Sequence, residues 1–185
     1  MVQREKPHRI LHVTRVAHGG VMVVVDQLAR GVDKKCFESV VAFDTERKSH
    51  LRHSLFESEI RTINLAKSSA SQTLYPSKRI NSRNIGLKIE NRFGQKASDL
   101  YFSLKDFYRF LYLDVLKIRL LLRIIRKNGI DLVHTHNNLH FGKAEIFAAW
   151  IMGIPCICHN HQFQKLTYFD KIFIKFVDRF IYISS

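Results

Sequence analysis

Apolar positions along the chain follow two alternating rhythms. Short runs rich in valine, isoleucine and phenylalanine read as strands: residues 9–14, Phe37–Phe43, Ile60–Leu65, Ile130–Thr135, Pro155–Cys158 and Phe180–Ile183. Longer segments with apolar residues three and four apart read as helices. The first covers Val21–Arg30, where Val21, Val24, Val25, Leu28 and Ala29 form one stripe and Gly31 is a natural stop. A short helix is expected around residues 50–58. A long one is expected over Leu104–Lys127, with Leu113, Leu116, Leu120, Leu121 and Ile124 on its buried side and Asn128-Gly129 as its end. Two more helices fit Lys143–Met152 and Lys165–Val177. Residues 66–100 are polar and aperiodic, which predicts a long irregular excursion. Strands alternating with helices predict an α/β domain built on a doubly wound parallel sheet.

The stretch Asn128–Gln162 carries the densest chemistry. Its first strand leads into His134, His136, Asn137 and His140, and its second into His159 and His161. A crossover helix between two strands makes them parallel. Both histidine groups then lie on the carboxyl edge of the sheet, where open α/β sheets bind ligands. Alternation places His134 and His136 on one strand face, and His159 with His161 repeats the pattern. A histidine there can orient, donate to or accept from a phosphate or a sugar hydroxyl. The plainer reading is that these histidines cap strand ends and bond to backbone.

Gly19-Gly20 lies between the first strand and the first helix. Glycines at a helix start let backbone N–H groups approach a phosphate; a simple tight turn explains them equally well. Neither GxGxxG nor a Walker loop is present. A metal is set aside, because the chain has no HExxH and no CxxC.

The 185 residues suffice for one domain. A formal charge of +14 points to an anionic partner. That charge is concentrated: residues 78–127 carry 13 basic and 4 acidic side chains, whereas residues 128–185 carry 5 and 4. Cys36, Cys156 and Cys158 make no disulfide framework, which fits a reducing cytoplasm. The start lacks the apolar core of a signal peptide, and no run reaches the ~18 apolar residues of a membrane span.

Four segments resemble the N-terminal domain of a family-4 glycosyltransferase of the GT-B fold, of the bacterial capsule, exopolysaccharide or lipopolysaccharide type. They are ILHVTRVAHGGVMVVVDQLA, IDLVHTHN, FAAWIMGIPCICHNHQ and DRFIYISS, in the family's order. The resemblance implies that residues 1–185 form the acceptor-side lobe. A second Rossmann-like domain, which would hold the nucleotide-sugar, is missing from the chain, so the chain alone is expected to be inactive. It implies metal-independent transfer with retention at the anomeric carbon and no cofactor, the nucleotide-sugar being a substrate. By matching position, Gly19 and Gly20 face the donor diphosphate, and His161 lies near the transferred sugar as the catalytic candidate. His136, Asn137 and His159 line the acceptor side. Glu38 and Glu46 have the E-x7-E spacing of the family's donor domain, but they fall around the second strand and are read as coincidence.

Tyr101, Phe102, Phe107, Tyr108, Phe110 and Tyr112 interleave with the basic residues of the middle segment. They suit an anionic membrane surface, or else belong to the core. Peripheral attachment to the inner face of the plasma membrane and a lipid-linked glycan acceptor go with the first option. Two alternatives stand beside the enzyme: a non-catalytic lobe or gene fragment that recruits an acceptor or partner, and a basic nucleic-acid-binding α/β domain. No nucleic-acid motif supports the last.

Overall fold

A computed structural model describes residues 6–15, 19–43, 60–65, 82–161 and 165–182. Six strands form one parallel sheet: β1 (His8–Thr14), β2 (Phe37–Phe43), β3 (Arg61–Asn64), β4 (Leu132–Thr135), β5 (Cys156–Asn160) and β6 (Arg179–Tyr182). Their order is β3-β2-β1-β4-β5-β6, so the winding reverses between β1 and β4. That reversal is the topological switch point of a doubly wound sheet.

Helices cover both faces. On one, Leu11, Val13, Val40, Ala42, Val133, Cys156 and Cys158 pack against Ile118, Leu121, Ile124 and Ile125 of α4 (Val115–Asn128) and Ala144, Ile146, Ala148 and Ala149 of α5 (Lys143–Met152). On the other, Val41 packs with Met22, Val25 and Ala29 of α1 (Gly20–Gly31). Because side chains alternate along a strand, the positions between the first set face α1. His12 and His134 are such positions, each set between two residues of the first set or flanking one.

Several boundaries differ from the expectation. The segment read as irregular contains α2 (Ser82–Phe93) and the start of α3 (Gln95–Arg109). Its polar composition hid them, since α3 buries Ser98, Ser103 and Asp106 rather than a row of aliphatics. The helix expected from Leu104 thus begins earlier, and it passes through a π-turn at Phe110–Asp114 before α4. A π-turn inserts an extra residue and rotates the next helical segment about its axis. Leu116, expected inside, is exposed, while Ile118 and Ile125 enter the core. In α1, Leu28 is likewise exposed and Met22 takes a core position. The helix expected over Lys165–Val177 is shorter: α6 (Tyr168–Phe173) and a 3-10 turn to Phe176. Thr167 opens α6 with a reciprocal capping box to Asp170. Residues 50–58 and 66–81 lie outside the described residues, as does Ser184-Ser185.

Glu38 sits at the amino end of β2, where its carboxylate accepts from Arg9 Nε at 2.7 Å. Arg9 Nη1 also donates to the Asn128 carbonyl at 2.7 Å, so this ion pair ties β1, β2 and the end of α4 together. It lies at the edge opposite the histidines. Glu46 falls outside the described residues.

Candidate functional site

Five histidines converge at the carboxyl edge beside the switch point. The parallel register pairs His12 of β1 with His134 of β4. Thr135 pairs with Cys158, so one step further His136 comes level with His159. Ring centroids lie 5.3 Å apart for His12–His134, 4.1 Å for His134–His136 and 5.5 Å for His136–His159. His161 closes the row, 4.3 Å from His159 and 6.1 Å from His136. β5 runs two residues further than expected, so His159 is a strand residue and His161 comes just after the strand's end.

His12 was not a sequence candidate, because a lone histidine inside RILHVT reads as an interruption of an apolar run. In the structure it is 2% exposed and links the row to β2. Its Nδ1 lies 3.2 Å from His136 Nε2, and its Nε2 lies 3.4 Å from Ser39 Oγ. Four ring nitrogens of the others have no hydrogen-bond partner among the described residues: His134 Nε2, His136 Nδ1, His159 Nδ1 and His161 Nε2.

Burial makes the cluster uncharged. It lowers the pKa of His12 to about 4. Burial, helped by the neighbouring imidazoles, lowers His134 to about 3 and His136 further still. His159 and His161 are lowered too, chiefly by burial. At neutral pH the row therefore offers hydrogen-bond donors and lone pairs, not positive charge.

Asn137 has both ends of its amide engaged. Oδ1 accepts from the Arg15 N–H at 2.9 Å, and Nδ2 donates to Glu145 Oε1 at 3.0 Å. Glu145, almost fully buried in the first turn of α5, also pairs with Lys117 at 2.9 Å. Asn137 thus fixes the loop after β4 to the end of β1. Gly142 is crowded at the start of α5: a Cβ there would lie 3.1 Å from Thr135 Oγ1.

Gly19 and Gly20 open α1 on the histidine face. Gly19 has φ 79° and ψ −174°, a conformation that favours glycine. Its carbonyl accepts from the Met22 and Val23 amides. A Cβ at either glycine would meet nothing within 4 Å among the described residues.

His140 belongs to a different network. Its Nδ1 lies 3.3 Å from Asp170 Oδ2 and 3.4 Å from Asp106 Oδ2. Asp170 also pairs with Lys143. Burial pushes the Asp170 carboxyl up, but hydrogen bonds from His140 and Lys143 outweigh it and hold the pKa well below the usual carboxylate range. This network clamps α3, α5 and α6 together. Its sequence signal was the Thr167-x-x-Asp170 capping pattern.

Three groups among the described residues could in principle hold a metal: His12 with His134 and His136; His136 with His159 and His161; and Asp106 with His140 and Asp170. The sequence argument against a metal concerned spacings within one element. The structure gathers these imidazoles from three strands.

Sheet order and switch point define a Rossmann-like domain, one lobe of a GT-B fold. The Glycosyltransferase Family 4 model matches residues 18–185, and the chain belongs to that family. No curated protein matches the sequence. Among solved structures, the fold is similar to that of MurG from Acinetobacter baumannii, with TM-score 0.52 and 10% identity over 97% of this chain and 42% of that one. It is also similar to a glycosyltransferase from Rickettsia africae ESF-5, with TM-score 0.51 and 15% identity over 88% of this chain and 32% of that one. The chain therefore spans less than half the length of either structure.

Proposed function

We propose that this chain is the acceptor-side, N-terminal domain of a retaining hexosyltransferase in bacterial capsule, exopolysaccharide or lipopolysaccharide synthesis. It works with a second domain that holds the nucleotide-sugar. The observation carrying this reading is the neutral histidine row at the switch point, on a domain of this family. His161, at the open end of the row, faces the sugar in transit. Gly19 and Gly20 face the donor diphosphate at the start of α1, where the lack of side chains lets the backbone approach a phosphate. His136 and His159 line the acceptor side, and Asn137 holds their loop in place. An uncharged imidazole can accept a hydrogen bond from a sugar hydroxyl and then share a proton with it as charge develops. Transfer on this reading needs no metal and no cofactor.

A lipid-linked acceptor is supported by the helical segment. Leu100, Leu104, Tyr108, Leu111 and Tyr112 are all about half exposed or more and recur at helical spacing across α3 and the π-turn. Exposed Lys96 and Lys105 lie on the same segment. An apolar stripe beside cations suits an anionic membrane surface. No helix among the described residues is long and apolar enough to cross a membrane. Not every aromatic joins this stripe: Phe110 packs edge-on against Phe147, Phe169 and Phe173.

The test is His161→Ala in the complete gene product, assayed by nucleoside diphosphate release over a panel of nucleotide-sugars. Loss of about 100-fold or more in turnover, with the circular dichroism spectrum unchanged, is expected for a proton-sharing group. Wild-type turnover in the variant would remove His161 from the site.

A further inference from the structure

The histidine row has a property that sugar transfer does not use. The ring nitrogens of His136, His159 and His161 that could serve as ligands all lie within 4.8 Å of one another. Each of these rings keeps one nitrogen without a partner among the described residues: Nδ1, Nδ1 and Nε2 respectively. His136 and His159 are more than nine-tenths buried. Tetrahedral zinc with Zn–N bonds of about 2.0–2.1 Å sets its ligands about 3.3 Å apart. The three nitrogens must therefore draw in by about 1.5 Å at most to meet that spacing, and His161, the least buried of the three, follows the end of its strand.

Outer contacts supply a second reason. A histidine that binds a metal donates its other N–H to a neighbouring group, which fixes its tautomer. His136 Nε2 lies 3.2 Å from His12 Nδ1, and His12 Nε2 lies 3.4 Å from Ser39 Oγ. When His12 Nε2–H donates to Ser39, His12 Nδ1 becomes an acceptor. His136 Nε2–H then donates to it, and the lone pair of His136 sits on the unpartnered Nδ1. The chain Ser39–His12–His136 thus fixes the tautomer that leaves His136 Nδ1 as the lone-pair nitrogen, on a ring 5.5 Å from that of His159 and 6.1 Å from that of His161.

We propose that His136, His159 and His161 form a binding site for a divalent transition-metal ion of the zinc class, with His12 and Ser39 positioning His136. Three imidazoles leave a fourth position open to water or an anionic oxygen. An all-nitrogen donor set selects zinc, cobalt, nickel or copper over magnesium and calcium, which require oxygen ligands. Where the site coincides with that of sugar transfer, which rests on the function proposed above, the ion inhibits: ligation of His161 removes the lone pair offered to the sugar.

Calorimetric titration of the metal-free 185-residue chain with Zn2+ tests the site, with the visible absorption of Co2+ as an independent report of nitrogen ligation. One ion per chain is expected, with no heat from Mg2+. His159→Ala abolishes binding, and His12→Ala weakens it about 10–100-fold, as loss of an outer partner does. His161→Ala serves as the second ligand variant should the buried His159 variant fail to fold. Absence of Zn2+ binding by the wild-type chain overturns the proposal, and so does one-to-one binding that survives in both folded ligand variants. In the complete gene product, Zn2+ is expected to suppress transfer and a chelator to restore it. Transfer that proceeds unchanged at saturating Zn2+ separates the metal site from the sugar site and leaves the binding result standing.

Discussion

Asp114 ends the π-turn as a residue only 7% exposed, and its ionisation is opposed by its surroundings. Burial raises its pKa from 3.8 to about 6, against the pull of Arg109. The folded state therefore holds the proton more tightly than the unfolded chain. Stability linked to this group is full below pH 4 and is lost as pH rises from 4 to 6. A shift of roughly two pKa units corresponds to about 3 kcal/mol above pH 6, at 1.36 kcal/mol per unit. Asp114→Asn removes the ionisation and keeps the shape. The variant is expected to be more stable than wild type by about 3 kcal/mol at pH 7.5, by roughly half of that at pH 5 and by well under ~1 kcal/mol at pH 4. At about 3 °C per kcal/mol for a chain of this size, melting rises by about 9 °C at pH 7.5. Trp150, the sole tryptophan, stacks on Phe147 at 5.2 Å and reports unfolding by its fluorescence. A variant that is neutral or destabilised at pH 7.5, or a gain that does not shrink towards pH 4, would refute the reasoning. Asp114 would then be ionised and stabilised by its cationic neighbours.

Buried contacts and surface chemistry lead to three further expected outcomes. Asp170→Asn strips the charge partner from Lys143, which is 2% exposed, and should cost about 3–5 kcal/mol in urea unfolding; adding Lys143→Met should recover most of that loss. Because the Asp170 pKa is depressed, its contribution is present above the unfolded carboxyl value and vanishes as pH falls through the folded one, so the single variant should unfold less steeply in acid. Gly142→Ala should destabilise by about 1–3 kcal/mol, since its Cβ would press on Thr135 Oγ1 and the Asn138 carbonyl; an unchanged melting temperature would show that the loop yields. Flotation with anionic liposomes should retain the protein at low salt and release it at high salt, and Tyr108→Ser with Tyr112→Ser should weaken retention; no binding at low salt ends the membrane reading.

The parallel sheet was legible because its central strands join the core through apolar residues spaced two apart, as Leu11 with Val13, Val40 with Ala42 and Cys156 with Cys158. The helical middle was less legible for two physical reasons. α3 buries polar Ser98, Ser103 and Asp106, so its inward face carries no hydrophobic signal. The π-turn at Phe110–Asp114 then breaks the 3.6-residue period, and a stripe counted through it places Leu116 inside when the chain has already turned it out. Hydrophobic spacing reads a helix only while its period is unbroken and its core contacts are apolar.

The site was half legible, and the missing half lies in sheet register. The HxH at His134 and His136, and its repeat at His159 and His161, mark two strand ends. Nothing along the chain says which residues of other strands stand level with them. Parallel pairing answers that: His12 pairs with His134, and the Thr135–Cys158 pair brings His136 level with His159. Each histidine alone would be a polar interruption of a strand, costly to bury. Together they stack ring on ring, and the His12–His136 contact offsets part of that cost. Four ring nitrogens still lack a partner among the described residues. Buried polar groups in a fold are normally satisfied, so four unpartnered nitrogens in one place are the feature on which the proposed sugar and metal readings rest.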